Sequence, residues 1–311
     1  MRILVTGGAG FIGSHVADGF IADGHDVAVL DDLSTGFRHN VPAKARFYKG
    51  DIRDRDFVRK SFADFRPDVV DHHAAQMDVR RSLDDPLFDA ECNVLGSLNV
   101  ILEAVRCGAE RMIYASTGGA VYGEPEFLPV NERHPLRPEC AYGISKHTVE
   151  HYLFLYRMLE GLDYLVLRYP NVYGPRQNPH GEAGVNAIFI GLMLEEKTPV
   201  IFGDGEQLRD YVYISDIVEA NRLALTKGAG EILNIGSGVG RSVNEIFSTL
   251  AEILNFNKPP EHAPARPGEI KRVYLDAARA GQILGWKPRV AFEDGLRETV
   301  KWHMTQREVT A

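Results

Sequence analysis

The sequence predicts an α/β protein built on a doubly wound parallel sheet, with a smaller C-terminal α/β unit. Three observations predict it. Short apolar runs alternate with helix-length segments from the first residue onward; a glycine-rich turn, TGGAGFIGSH, follows the first run; and past residue 169 the rhythm loosens into PNVYGPRQNPHGEAG, rich in Pro, Asn and Gly. Strand-length apolar runs separated by helices mean parallel strands covered on both faces.

RILVTG forms the first strand and FIGSHVADGFIADG the first helix, and DVAVLD, PDVVDHHA, RMIYAS and LDYLVLRY continue the strands. Helix-period apolar residues recur at Leu87, Ala90, Val94, Leu98, Ile101, Leu102 and Val105, with Gly108 as a stop. A second long helix spans about Ala141 to Glu160 and ends at Gly161. The Pro, Asn and Gly rich stretch reads as a loop that opens the second unit. Residues 1–170 are therefore expected to form the first domain and 171–311 mainly the second, with segments after 211 returning to the first. VIFG, the strand–helix pair RDYVYISDIVEANRLAL, the strand EILNIG and a helix opened by the capping box Ser242 to Glu245 follow.

Composition sets the outer bounds. A chain of 311 residues, 44% hydrophobic and 25% charged, can bury a large core. A formal charge of -8, with no Lys or Arg run longer than two, offers nucleic acid no footprint. The apolar runs are too short to span a membrane, and the N-terminus starts a strand rather than a signal peptide, so a cytoplasmic protein is expected. Three cysteines without CxxC spacing suggest neither disulfides nor zinc; they read as buried small hydrophobes.

Gly7, Gly10 and Gly13 stand between the first strand and the first helix, with Phe11 and Ile12 opening that helix. Absent side chains there let a pyrophosphate approach backbone amides and the helix N-terminus. DVAVLD ends at Asp31, where a carboxylate can accept the ribose hydroxyls of adenosine and repel a 2′-phosphate, so NAD is expected over NADP. Asp32 could share that role or be a solvated turn residue. Asp51 and Ile52 fit the adenine edge, and Ala74, Ala75 and Gln76 the pyrophosphate and nicotinamide side. His72 and His73 read as core, and His147 and His151, one helical turn apart, as a helix face; no metal site is expected.

Tyr142 and Lys146 of YGISK lie one turn apart on a helix, so both can reach one ligand. A neighbouring ammonium favours the phenolate, which makes the Tyr a usable base.

TGGAGFIG, Asp31, STGGAVYG, YGISK, LRYPNVYGP and RDYVYISD, taken in order, resemble the extended short-chain dehydrogenase/reductase superfamily, and within it the UDP-glucose (UDP-galactose) 4-epimerases. The resemblance implies a seven-stranded Rossmann domain retaining NAD, a smaller domain gripping a UDP-sugar, and a homodimer joined by the helices from Leu87 and Ala141. It adds Asn93, Ser116 and Tyr169 to the cofactor site. It places Asn171 at the sugar diphosphate, Arg209 and Arg266 on its phosphates, Glu269 on the nucleotide ribose and Phe202 beside the base. Val273 falls at the wall facing C2 of the sugar, where a large Tyr in some relatives excludes an N-acetyl group; packing under its own strand is the other expectation. The implied reaction is epimerisation at C4 through a 4-keto sugar, with UDP-glucuronate decarboxylation as the alternative; Ala120 stands where sister dehydratases carry an acid. Aligned on Tyr122, the usual proton-relaying hydroxyl is replaced by Gly118. Thr117 is expected to take its place, swung inward by a loop that Gly118 and Gly119 make flexible, and the two glycines also widen the sugar pocket.

Overall fold

The computed structural model describes residues 1–179, 184–266 and 270–310. The first half runs β1 (Arg2–Thr6), α1 (Phe11–Ala22), β2 (Asp26–Asp31), β3 (Arg46–Lys49), α2 (Arg55–Phe65), β4 (Val69–His72), α3 (Val79–Asp84), α4 (Pro86–Ala90), α5 (Gly96–Cys107) and β5 (Arg111–Thr117). The second runs α6 (Ala141–Glu160), β6 (Asp163–Tyr169), β7 (Asn171–Tyr173), α7 (Val185–Leu194), β8 (Val200–Phe202), β9 (Leu208–Arg209), β10 (Tyr211–Tyr213) and α8 (Ile214–Ala224). It closes with β11 (Glu231–Asn234), β12 (Arg241–Ser242), α9 (Val243–Leu254), β13 (Glu261–Ala263), β14 (Arg272–Val273), α10 (Ala278–Leu284) and α11 (Phe292–Thr310).

Seven strands form one parallel sheet in the order β3-β2-β1-β4-β5-β6-β11. Side chains alternate between its faces. Ile3, Val5, Ile113 and Leu167 pack beneath α1 and α8, whereas Leu4, Val70, Met112 and Val166 pack beneath α2, α5 and α6. Both faces are thus covered, which explains the unbroken apolar runs. Strand order reverses between β1 and β4, opening the crevice where doubly wound sheets take their ligands.

The short strands pair outside this sheet: β7 with β10, β9 with β12 and β14, and β8 with β13. Helices α7, α9 and α11 gather a further core around Phe189, Ile246, Leu250, Phe292 and Leu296.

Gly161 and Gly108 end α6 and α5 in the left-handed conformation, with φ of 73° and 76°. The helix expected from Leu87 carries an internal change of pitch, a π-helical turn over Glu91–Leu95 between α4 and α5. The capping box is half formed: Glu245 N donates to Ser242 Oγ at 3.0 Å, while the Glu245 carboxylate turns to Arg241. All three cysteines are free but only partly buried, correcting the sequence expectation. Each lies at a helix end or in the π turn, and Cys140 Sγ caps α6 by accepting from Gly143 N at 3.4 Å. Among the described residues no helix is long and apolar enough to cross a membrane.

Candidate active site

The glycine turn sits at the reversal point of the sheet. Gly7 has φ +69°, and a Cβ there would come within 2.6 Å of Ala74 N; one on Gly13 would come within 2.4 Å of Gly7 O. The turn is therefore packed against the Ala74–Gln76 segment after β4 with no room for side chains. Phe11 and Ile12, at the mouth of α1, are partly buried against the core. Asp31 is buried, with Oδ2 accepting from Ala9 N at 2.9 Å and Oδ1 from Leu33 N at 2.8 Å. Burial pushes its pKa up against those two amides. Each carboxylate oxygen has a second acceptor position, so the pair can still receive two hydroxyls. Asp32 is exposed and caps its own turn, accepting from Ser34 N and Oγ. Asp51 pairs with Arg53 at 2.6 Å, and Ile52 is buried against Gly96.

Asn93, in the π turn, clasps the backbone of Gln76 from both sides: its Oδ1 accepts from Gln76 N and its Nδ2 donates to Gln76 O, each at 2.8 Å. Asn93 Nδ2 and Gln76 Nε2 also donate to Asp89, at 3.0 and 3.1 Å, and Ser145 Oγ donates to its other oxygen at 2.6 Å. Asp89 is fully buried, beside the helix that carries Tyr142 and Lys146.

Lys146 is buried with its ammonium over the Tyr114 ring, 4.5 Å from the centroid. Burial brings its pKa down to about 7, against the pull of Glu150 and Asp89. Tyr142 remains partly exposed; burial raises its pKa, Cys140 and Asp89 add to the rise, and a hydrogen bond with Thr117 opposes it. Thr117 occupies the last position of β5, paired with Tyr169 of β6. It stands at a regular strand end, immediately before Gly118 and Gly119. Ser116 is committed elsewhere, donating to Glu150 Oε1 at 2.6 Å.

Glu150 also takes both arms of the buried Arg168 guanidinium, at 2.9 and 2.6 Å, and faces His147 Nδ1 at 2.9 Å. Burial works against its charge, but these bonds hold its pKa down at about 2. Arg168 continues to Tyr122 Oη at 2.9 Å, which donates to Asn234 of β11 at 2.7 Å. Tyr169 donates to Asn221 of α8 at 3.1 Å and stacks on His73. His72 is buried between Thr6 Oγ1 at 2.5 Å and Ser97 Oγ at 2.9 Å, and His73 faces Asp71 at 2.9 Å. Among the described residues no group of three or more His, Cys, Asp or Glu is placed to hold a metal ion.

Gly118, Gly119, Asn171 and Val273 line one small cavity together with Pro170, Asp210 and Leu275. The two glycines differ. A Cβ on Gly118 would fall 2.3 Å from Leu275 Cδ1, whereas one on Gly119 would meet only Thr117 Oγ1, at 3.9 Å. Val273 pairs with Arg209 through β14 and β9, and it is buried beside Tyr122 and Leu275, so it both packs and lines the cavity. Asn171 N donates to Asp210 O at 3.1 Å. Arg266 stacks its guanidinium on Phe202, 3.7 Å from the ring centroid. Glu269 lies outside the described residues.

Residues 3–236 match the model of the NAD dependent epimerase/dehydratase family. The chain belongs to this family. It is 47% identical over 301 residues to a putative UDP-glucose 4-epimerase of Methanocaldococcus jannaschii, covering 96% of this chain and 97% of that one. A Thermotoga maritima UDP-glucose 4-epimerase solved with UDP-glucose is 46% identical, with a TM-score of 0.97, covering 99% of this chain and 100% of that one. The Thermus thermophilus UDP-glucose 4-epimerase in complex with NAD is 45% identical, with a TM-score of 0.93, covering 98% and 99%.

Within this epimerase/dehydratase frame, sequence reasoning missed Asp89, Glu150, Arg168 and Asp210. Asp210 is buried and accepts from Ser237 N at 2.9 Å and Leu275 N at 3.0 Å, tying two loops beside the cavity. The available signal was position: Glu150 lies one helical turn after Lys146, and Arg168 directly follows the apolar run Leu165–Leu167 near the end of its strand.

Proposed function

We propose that the chain interconverts UDP-glucose and UDP-galactose by inverting C4 through a transient 4-keto sugar, with NAD as cofactor. The observation that carries this reading is Tyr142 on α6 one turn before the buried Lys146, with Thr117 at the end of β5 directly before the two glycines that line the cavity with Asn171 and Val273. Likeness to epimerases over the full chain supports it. The packed glycine turn and the two acceptor positions left on Asp31 fit a dinucleotide without a 2′-phosphate.

When bound, NAD supplies the reversible hydride acceptor that oxidation and re-reduction at C4 require. Tyr142 takes the proton of the 4-hydroxyl and later returns it, and Thr117 bridges phenol and sugar. Lys146, held against burial by Asp89 and Glu150, stabilises the phenolate and meets the nicotinamide ribose. Such acid and base help contributes roughly a hundred to ten thousand fold. Gly7, Gly10 and Gly13, with Phe11 and Ile12 at the helix mouth, would hold the pyrophosphate and Asp31 the adenosine ribose, while Gln76, Asn93 and Tyr169 would line the nicotinamide side. Asn171, Arg209 and Arg266 grip the diphosphate, guanidinium groups being suited to phosphate oxygens. The small Val273 admits a 2-acetamido group, so N-acetylated sugars are substrates as well.

The working form is a cytoplasmic homodimer. Leu87 on α4, Leu95 in the π turn, and Phe154, Met158 and Leu159 on α6 are each more than half exposed, a patch suited to helix packing between copies.

Incubation with UDP-glucose and no added cofactor, read by ¹H NMR, tests the activity. UDP-galactose should appear, and UDP-glucuronate should release no carbon dioxide. Carbon dioxide release without epimer formation would replace epimerisation by decarboxylation.

A further inference from the structure

The geometry points to a divalent transition-metal site on α6, built from His147 Nε2 and His151 Nε2. The two nitrogens stand 3.2 Å apart with their rings crossed at 61°. Two imidazoles bound tetrahedrally to one zinc ion at ordinary lengths have their nitrogens about 3.3 Å apart, so the pair already has the spacing of two ligands on a shared ion.

Three further features suit that use. Glu150 Oε2 accepts from His147 Nδ1 at 2.9 Å, which leaves the lone pair on Nε2. Glu150 cannot swing away, because Arg168 and Ser116 hold both its oxygens. His151 is exposed in the single chain, on the α6 stripe that also carries Phe154 and Met158, so an ion can enter before two copies pair there or be held between them. Without metal, one proton lies between the two Nε2 atoms. A cation takes that proton's place, and His151 carries it on Nδ1 instead. Imidazole ligands select late first-row ions such as Zn²⁺, Ni²⁺ or Cu²⁺. With two protein ligands, the remaining positions belong to water or to the same pair on a second copy, and binding is exchangeable. This site is independent of the epimerase reading.

Equilibrium dialysis of the EDTA-treated full chain against Zn²⁺ tests it, alongside the circular dichroism of His151→Gln and His147→Gln to confirm folding. The parent should bind one ion per chain, or one per two chains if copies share it, and Zn²⁺ should raise its thermal midpoint. Each variant should lose more affinity than the roughly 10–100-fold that removal of an outer partner costs. A parent that binds no Zn²⁺, or folded variants that bind as the parent does, would overturn the site.

Discussion

Thr117 ends β5 in register with Tyr169 of β6, one residue before the glycine pair. The strand, held by its pairing with β6, places the hydroxyl. Thr117→Val should therefore lower kcat by about a hundredfold or more while leaving NAD retention intact, and Thr117→Ser should restore most of it. Steady-state kinetics on both variants check this, and near-full turnover in the Val variant would remove Thr117 from the proton path.

Gly118 and Gly119 should separate on mutation. Gly118→Ala drives a methyl into the buried Leu275 and should cost about 1–3 kcal/mol of stability by overpacking. Gly119→Ala meets nothing closer than ordinary contact and should be nearly neutral in denaturant unfolding. Equal losses at the two positions would contradict the packing assignment.

This pair shows where the sequence is legible and where it is not. Helix α6 is readable to its ends, because apolar periodicity and a terminal glycine are local signals. The turn at Gly7 and the acid at Asp31 are readable for the same reason. Gly118 is misread as flexibility because its partner, Leu275, is remote in sequence and brought in by the strand β14. Asp89 is invisible because an acid near a helix start is normally solvated, and only the fold buries it among Gln76, Asn93 and Ser145. The π turn that places Asn93 leaves the apolar period almost unchanged.

Burial of Lys146 predicts a stability signature in nucleotide-free protein. Its folded pKa lies at about 7, below the unfolded value of about 10.4, so between these pH values the unfolded chain binds more protons and stability rises with pH. The slope contributed is at most about 1.4 kcal/mol per pH unit. Lys146→Met should flatten that rise in urea melts from pH 7 to 10; an unchanged slope would place the titration elsewhere.

Val273 and Gly119 line the same cavity. Val273→Tyr should lose kcat/KM for UDP-N-acetylglucosamine selectively and keep most of it for UDP-glucose. Parallel measurements decide this, since equal losses on both sugars would assign Val273 to packing alone.

The central claim is transient oxidation at C4 with return of the same hydrogen. Its most direct measurement is NMR of the UDP-galactose formed from UDP-glucose in D₂O, with Tyr142→Phe as the control that should be slowed about a thousandfold or more. The account predicts product carrying protium at both C4 and C5. Deuterium at either carbon would show that the hydrogen passes through solvent, and would contradict it.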